Sequence, residues 1–210
     1  MEQGAAVYSV GYSNRGMEEF LALLRESSVT AIADVRSQSH SKSRPEYGRD
    51  LLRSTLRSAG IGYVFLGREL GARTLDEACY VGGKVQYDLL AATRGFQEGL
   101  DRVEKGRNDH RIALMCAEGD PLTCHRCILV GRHLRARGVP VRHILENGLV
   151  EDQDATVQRL VQALRIKDVC TSSRDEDLLA MAYKIQGERI AFRKDADEGE
   201  QYELWGREAS

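Results

Sequence analysis

No run of apolar residues in this chain approaches the roughly 20 that a helix needs to cross a bilayer, so no membrane partner is expected. The opening, MEQGAAVYSVGYSNR, lacks the basic end and long apolar stretch of a secretory signal, which makes a cytoplasmic location the expectation. A charge excess is also missing. Thirty Lys and Arg stand against 32 Asp and Glu, so there is no overall basic signature for nucleic acid, although a local basic patch is compatible with that balance. There is no Pro/Gly/Ser linker, repeat or low-complexity tract to separate two large domains. The cysteines number five, an odd count scattered through a chain long enough to bury a core. That argues against a disulfide framework and leaves thiols free for chemistry.

What is present is an alternation of short apolar runs with helix-period segments. The runs AVYSVG from Ala6, TAIADV from Thr30, GYVFLG from Gly62, RIALMC from Arg111 and VRHIL from Val141 read as strands. Between them, helices are expected from Met17, through Leu51 to Ala59, from Tyr87 to Lys105, and from Cys124 to Arg137 with a stop at Gly138. ATVQRLVQALR reads as a last amphipathic helix. The fold class is therefore α/β: a mainly parallel sheet of about five strands flanked by helices, over residues 1–166. From 167 to 210 the composition turns polar, with a helical patch at Asp175 to Tyr183, a β-like RIAFRK and a charged end that holds Trp205. This part reads as a small C-terminal extension packed on or beside the sheet.

In open α/β sheets, ligands bind beyond the carboxyl ends of the strands, where loops vary and helix N-termini point. Those ends are chemically crowded here. Ser13, Asn14 and Arg15 follow the first strand, Asp34 and Arg36 the second, Arg68, Glu69 and Arg73 the third, and Cys116, Glu118 and Asp120 the fourth. Cys124, His125 and Arg126 are expected to form the first turn of the next helix, where unpaired amides favour anions and lower a thiol's pKa.

The segments YSVGYSNRGMEEFLALL, IADVRSQSHSKSRPEY, YVFLGRELGAR and ALMCAEGDPLTCHRCILVGRHLRARGVPVRHI together resemble the bacterial and archaeal domain of unknown function 488 family, over roughly Val7 to Ile144. The shared marks are a Gly-x-Ser-Asn segment, an Asp-Val-Arg strand end, a Leu-Gly-Gly-like turn and a Cys-x-Glu…Cys-His-Arg block. The chain departs from the family pattern at Tyr12, Ala72 and Cys127. The resemblance implies a fold and a site but no agreed reaction.

The constellation suits a phosphate-bearing small molecule or nucleic acid as partner. Arg15, Arg36 and Arg126 would cradle the anion, with Ser13, Asn14, Glu69, Cys124 and His125 as further binding residues. Glu118 and Asp34, with Cys116 as a nucleophile, would carry the chemistry, such as cleavage or exchange of an N-glycosidic bond. A second reading is sulfur transfer or thiol redox chemistry of a rhodanese-like kind at Cys116 or Cys124. A third is a binding module without turnover. A metal held by Cys116, Cys124, His125 and Cys127 is disfavoured, because neighbours on a helix point about 100° apart. No metal and no cofactor is expected. Structural roles compete with each assignment: Asp34 and Arg36 as an ion pair, Arg126 as a holder of Glu118, and Ser13 or Asn14 as a helix cap.

Overall fold

The structure is a computed structural model in which residues 5–13, 15–41, 43–166 and 174–194 are described. Its centre is a six-stranded sheet built from β1 (Val7–Gly11), β2 (Ala31–Asp34), β3 (Gly62–Phe65), β6 (Ile112–Cys116), β7 (Val141–Ile144) and β8 (Val150–Asp152), in the order β3-β2-β6-β1-β7-β8. A separate two-stranded ribbon pairs β4 (Tyr80–Val81) with β5 (Lys84–Val85). The five strands marked by apolar runs are mutually parallel. The sixth, β8, runs antiparallel to β7 at the edge and corrects the count of five. Its three residues, Val150, Glu151 and Asp152, carry little apolar signal because an edge strand needs little.

Alternating side chains of each inner strand go to opposite faces. Tyr8, Val10, Ile32, Ala113 and Met115 pack under Phe20, Leu23 and Leu24 of α1 (Met17–Glu26) and Leu52 and Leu56 of α2 (Arg49–Ser58). Val7, Ala33, Leu114 and Val141 pack on the other side under Phe96, Leu100 and Val103 of α5 (Arg94–Gly106) and Leu134 of α6 (Arg132–Ala136). Two short helices, α3 (Gly67–Leu70) and α4 (Tyr87–Ala92), precede α5. The single helix expected from Tyr87 to Lys105 is broken at Thr93, whose Oγ1 accepts from the Phe96 amide at 3.2 Å and starts α5 afresh. A third apolar cluster joins Leu122 and Ile128 to Val157, Leu160 and Val161 of α7 (Gln153–Ala163) and to Leu178 and Ala182 of α8 (Asp175–Ile190).

The extension corrects another expectation. Helix α8 continues to Ile190, so the first residues of RIAFRK are helical, and Arg193 alone makes a β-bridge, with Lys84. Cys170 and Trp205 lie outside the described residues.

The chain leaves β2 toward β3 on one side and leaves β6 toward β7 on the other. Adjacent strands whose connections diverge open a crevice between their carboxyl ends, and that crevice is the expected ligand position of an open α/β sheet. Beneath it runs a buried polar chain. Arg126 Nε donates to Ser9 Oγ (3.2 Å), Ser9 Oγ meets His143 Nδ1 (2.6 Å), and His143 Nε2 meets Gln153 Oε1 (2.7 Å). The Gln153 amide donates on to the Cys127 carbonyl (3.2 Å) and Tyr183 Oη (2.7 Å). Both nitrogens of the His143 ring are thus satisfied in its neutral form.

Burial, helped by the charge of Arg126, pushes His143 down to about 4 from 6.5. The unfolded chain therefore takes up this proton first, so His143 leaves stability intact above about pH 6.5 and lowers it as the pH falls toward 4, by about 3 kcal/mol in total. Urea unfolding between those limits should show the loss, and His143→Gln should flatten it; equal slopes in both proteins would place the pH dependence elsewhere.

Candidate active site

The register of the sheet sets Gly11 of β1 beside Cys116 of β6, and Asp34 of β2 beside Met115. The chain then turns back over β1: the amides of Tyr12 and Ser13 donate to the carbonyls of Cys116 and Ala117 at 3.2 and 2.7 Å. Gly11 is required at this crossing, since a Cβ there would collide with the Glu118 carbonyl. Ser13 takes a positive φ of 42° at the bend.

Arg126 lies wholly inside, with its guanidinium on the carbonyls of Glu118 and Gly119 and on Ser9 Oγ. It fastens the β6 loop from below. The expected regular helix from Cys124 is not formed. Pro121–Thr123 makes one tight turn, Cys124 is extended (φ −129°, ψ 141°), and the backbone winds as a wide π-helix over Arg126–Gly131 before α6. The amides of Arg126, Cys127 and Ile128 are spent on Cys124, one on its sulfur and two on its carbonyl.

That break in the winding brings Cys124 and His125 to face the same point. His125 Nδ1 lies 3.7 Å from Cys116 Sγ and 3.8 Å from Cys124 Sγ, while Nε2 donates to the Val35 carbonyl at 2.9 Å. Glu118 Oε2 is 2.9 Å from Cys116 Sγ and 3.2 Å from Cys124 Sγ. The residue Glu118 is accessible, yet its carboxyl tip is tucked against both sulfurs.

Three acids this close cannot all ionise. Lost hydration, followed by the neighbouring Cys124, raises the Glu118 carboxyl. The hydrogen bond with Cys124 and burial hold the Cys116 thiol well above its ordinary range. Burial opposes ionisation of Cys124 as well, but the hydrogen bond from Cys116 and the charges of Arg126 and His125 outweigh it, so this thiol ionises far more readily. Burial likewise opposes a charge on His125, and Cys124 overcomes it to raise the imidazole.

The cluster opens on a cavity of about 300 Å³ between the loops after β1, β2 and β6. Tyr12, Arg36, Gln38, His40, Arg73, Tyr87 and Phe192 form most of its remaining wall.

The family model described as Domain of unknown function DUF488 matches residues 16–132, more than half of the chain. The chain belongs to that family. No curated protein and no solved structure gives a significant match. The DUF488 match takes in the whole loop from Cys116 to Arg126, so the cluster lies inside the family's own segment.

Of the residues singled out by sequence, the structure brings Cys116, Glu118, Cys124, His125, Arg36 and Arg73 to the cavity. It takes several others away. Asp34 is buried behind the wall, with Oδ1 held by Arg36 Nε (2.9 Å) and Oδ2 by Arg36 Nη2 (2.7 Å) and Tyr63 Oη (2.8 Å), so it orients Arg36. Arg15 spends its nitrogens on Glu19 and on the carbonyls of Gly11 and Glu146. Glu69 pairs with Arg102 at 2.6 Å on α5, and Asn14 lies outside the described residues. The cap of α1 is Gly16 rather than Ser13. Between β2 and α2, Arg44 pairs with Glu46 and Tyr47 is buried against Tyr12 at 4.0 Å between ring centres, while Arg49, the first residue of α2, lies over the Phe65 ring. Gln38 and His40 had no signal in the sequence beyond their place in a loop, Tyr87 beyond its helix start, and Phe192 beyond the β-like RIAFRK.

Arg126 therefore acts on the loop, and its removal leaves two carbonyls and a hydroxyl without their donor. Arg126→Met is expected to cost about 3 kcal/mol or more of unfolding free energy in urea. A variant as stable as the parent would mean that the guanidinium serves a bound anion instead.

Proposed function

We propose that the cavity is the reaction site of an enzyme acting on a phosphate-bearing, nucleotide-like substrate, cleaving or exchanging an N-glycosidic bond with Glu118 as acid/base. The observation that carries this reading is that Glu118 supplies the one carboxylate among the described residues of a wall that also carries aromatic rings, an amide, two guanidinium groups and two thiols. Tyr12, Tyr87 and Phe192 line the cavity with aromatic surface that suits a planar base, and Gln38 carries both a donor and an acceptor for its edge. Arg36 and Arg73 supply the cationic side in place of Arg15 and Arg126, with the His40 ring beside them. Arg36 is the best placed of them, because its Nη1 is buried and carries no hydrogen-bond partner, a position that calls for an acceptor. A cavity of about 300 Å³ sits at the low end of the ~300–1,000 Å³ range of ligand sites, which suits a single nucleotide or one extruded base and excludes a duplex.

Thiol chemistry is the second reading, favoured by the two free cysteines that share Glu118 and His125. Glu118 counts against a persulfide at Cys116, because a carboxylate 2.9 Å away repels sulfur anions.

Release of free base from nucleosides, nucleotides and single-stranded DNA, followed by chromatography, tests the first reading. Glu118→Gln should lower turnover by about 10²–10⁴-fold with an unchanged melting temperature, as loss of a general acid/base does. Turnover that survives in Glu118→Gln would remove the carboxylate from the mechanism. Thiosulfate-to-cyanide sulfur transfer without base release would favour the thiol reading.

A further inference from the structure

Cys116, Cys124 and His125 are almost wholly buried, at 4, 1 and 8% exposure, yet all three face the cavity. Their ligand atoms lie within 4.8 Å of one another. With metal–sulfur bonds of about 2.3 Å and metal–nitrogen bonds of about 2.0–2.1 Å, a tetrahedral ion places sulfur and nitrogen about 3.6 Å apart. The two sulfur–nitrogen distances, 3.7 and 3.8 Å, match that edge.

The surroundings point the same way. A metal-bound histidine usually gives its second nitrogen to a carbonyl or carboxylate, which fixes the ring and leaves the other lone pair for the ion. His125 does this through Nε2 and Val35 O, with Nδ1 turned to both sulfurs. The Arg126 amide donates to Cys124 Sγ at 3.5 Å, an interaction that supports a thiolate ligand. The helical divergence that disfavoured a metal does not arise, because Cys124 is extended and only the residues after it wind.

We infer that Cys116, Cys124 and His125 are the three protein ligands of a divalent zinc site whose fourth position opens on the cavity beside Glu118. Two sulfurs and an imidazole select zinc over magnesium or calcium, and three protein ligands with one open position is the pattern of catalytic rather than structural zinc. Two cysteines and a histidine, with a nearby glutamate that is not itself a ligand, is also the set that zinc-dependent nucleobase deaminases use to activate water. Cys127 stays outside the set: its thiol takes a hydrogen bond from Gln153, and burial pushes it up to about 12. The inference stands on the cluster alone and does not require the substrate class proposed above.

The test uses the full chain, stripped of metal under reducing, anaerobic conditions and titrated with cobalt(II). The expected result is one cobalt per chain, with a sulfur-to-metal charge-transfer band and the strong visible bands of a tetrahedral site, displaced by one equivalent of zinc. Cys124→Ser and His125→Gln should weaken binding by more than the roughly 10–100-fold that loss of an outer-shell partner costs, while Cys79→Ser should leave it unchanged. For variants that do not fold, thiol labelling of the parent protein answers the same question: zinc should protect the peptides containing Cys116 and Cys124. Absence of the charge-transfer band, or equal labelling with and without zinc, overturns the site. Base release at full rate from the metal-free protein would overturn the site's catalytic placement while sparing the proposed reaction. A tight tetrahedral site with no base release would do the reverse.

Discussion

Everything at the carboxyl end of this sheet depends on a buried guanidinium holding backbone carbonyls. Parallel strands end with C=O groups that have no next strand residue to pair with, and a loop that doubles back over them exposes more. Each needs a donor, since a buried carbonyl left unpaired costs about 1–3 kcal/mol. Arginine has five N–H groups in a fixed fork, and Arg126 uses that fork to tie Glu118 and Gly119 to Ser9 in β1. Arg15 does the same one strand further on, joining the Gly11 carbonyl to that of Glu146. Because these ties fix the loop, the Glu118 carboxyl is held against the two sulfurs instead of sweeping through solvent.

The charge of Arg126 also has an electrostatic consequence. No carboxylate is paired with it among the described salt bridges, so its positive charge reaches its neighbours through a poorly screened interior. It favours an anion at Cys124 and disfavours a second cation at His143. One buried residue thus prepares an electronegative ligand on the cavity side and keeps a histidine neutral on the sheet side. Asp34 and Arg36 divide the work differently: the carboxylate neutralises and aims the guanidinium, which leaves one nitrogen for the cavity.

The parallel core was legible because its inner strands are buried and must be apolar, and Val7, Ile32, Leu114 and Val141 lie in such runs; β3 at the exposed edge carries an apolar run as well. Strand β8 was not, since three polar-rich residues at an edge carry no pattern. The break at Thr93 and the continuation of α8 through Ile190 depend on a cap and on packing against α7, and neither is a matter of periodicity. At the site, the loop from Cys116 to Arg126 announced itself by residue type. The arginines misled for a physical reason: an anion and a carbonyl oxygen ask for the same donors, so residue type at a strand end does not say which one Arg15 or Arg126 serves. Phe192 gave no sign of reaching the cavity, because it is brought there by long-range pairing of its segment with the β4–β5 ribbon, through the Arg193–Lys84 bridge and the Val85 amide on the Phe192 carbonyl.

The irregular part of the loop is also the part that lines the cavity. A regular helix beginning at Cys124 would have spread Cys124 and His125 around its axis and spent no amide on a side-chain sulfur. In its place, the tight turn at Pro121–Thr123 delays the winding by one residue, and Cys124 stays extended. The wide winding after it keeps Arg126 pointed under the sheet while His125 is pinned to Val35 across the crevice. Three consecutive residues are thereby divided: the Cys124 sulfur and the His125 imidazole meet at the cavity, the imidazole also held by the Val35 carbonyl, and the Arg126 guanidinium goes to the core. Regular secondary structure cannot separate neighbours in that way, so the irregular backbone is what allows one short segment to build the site and anchor it.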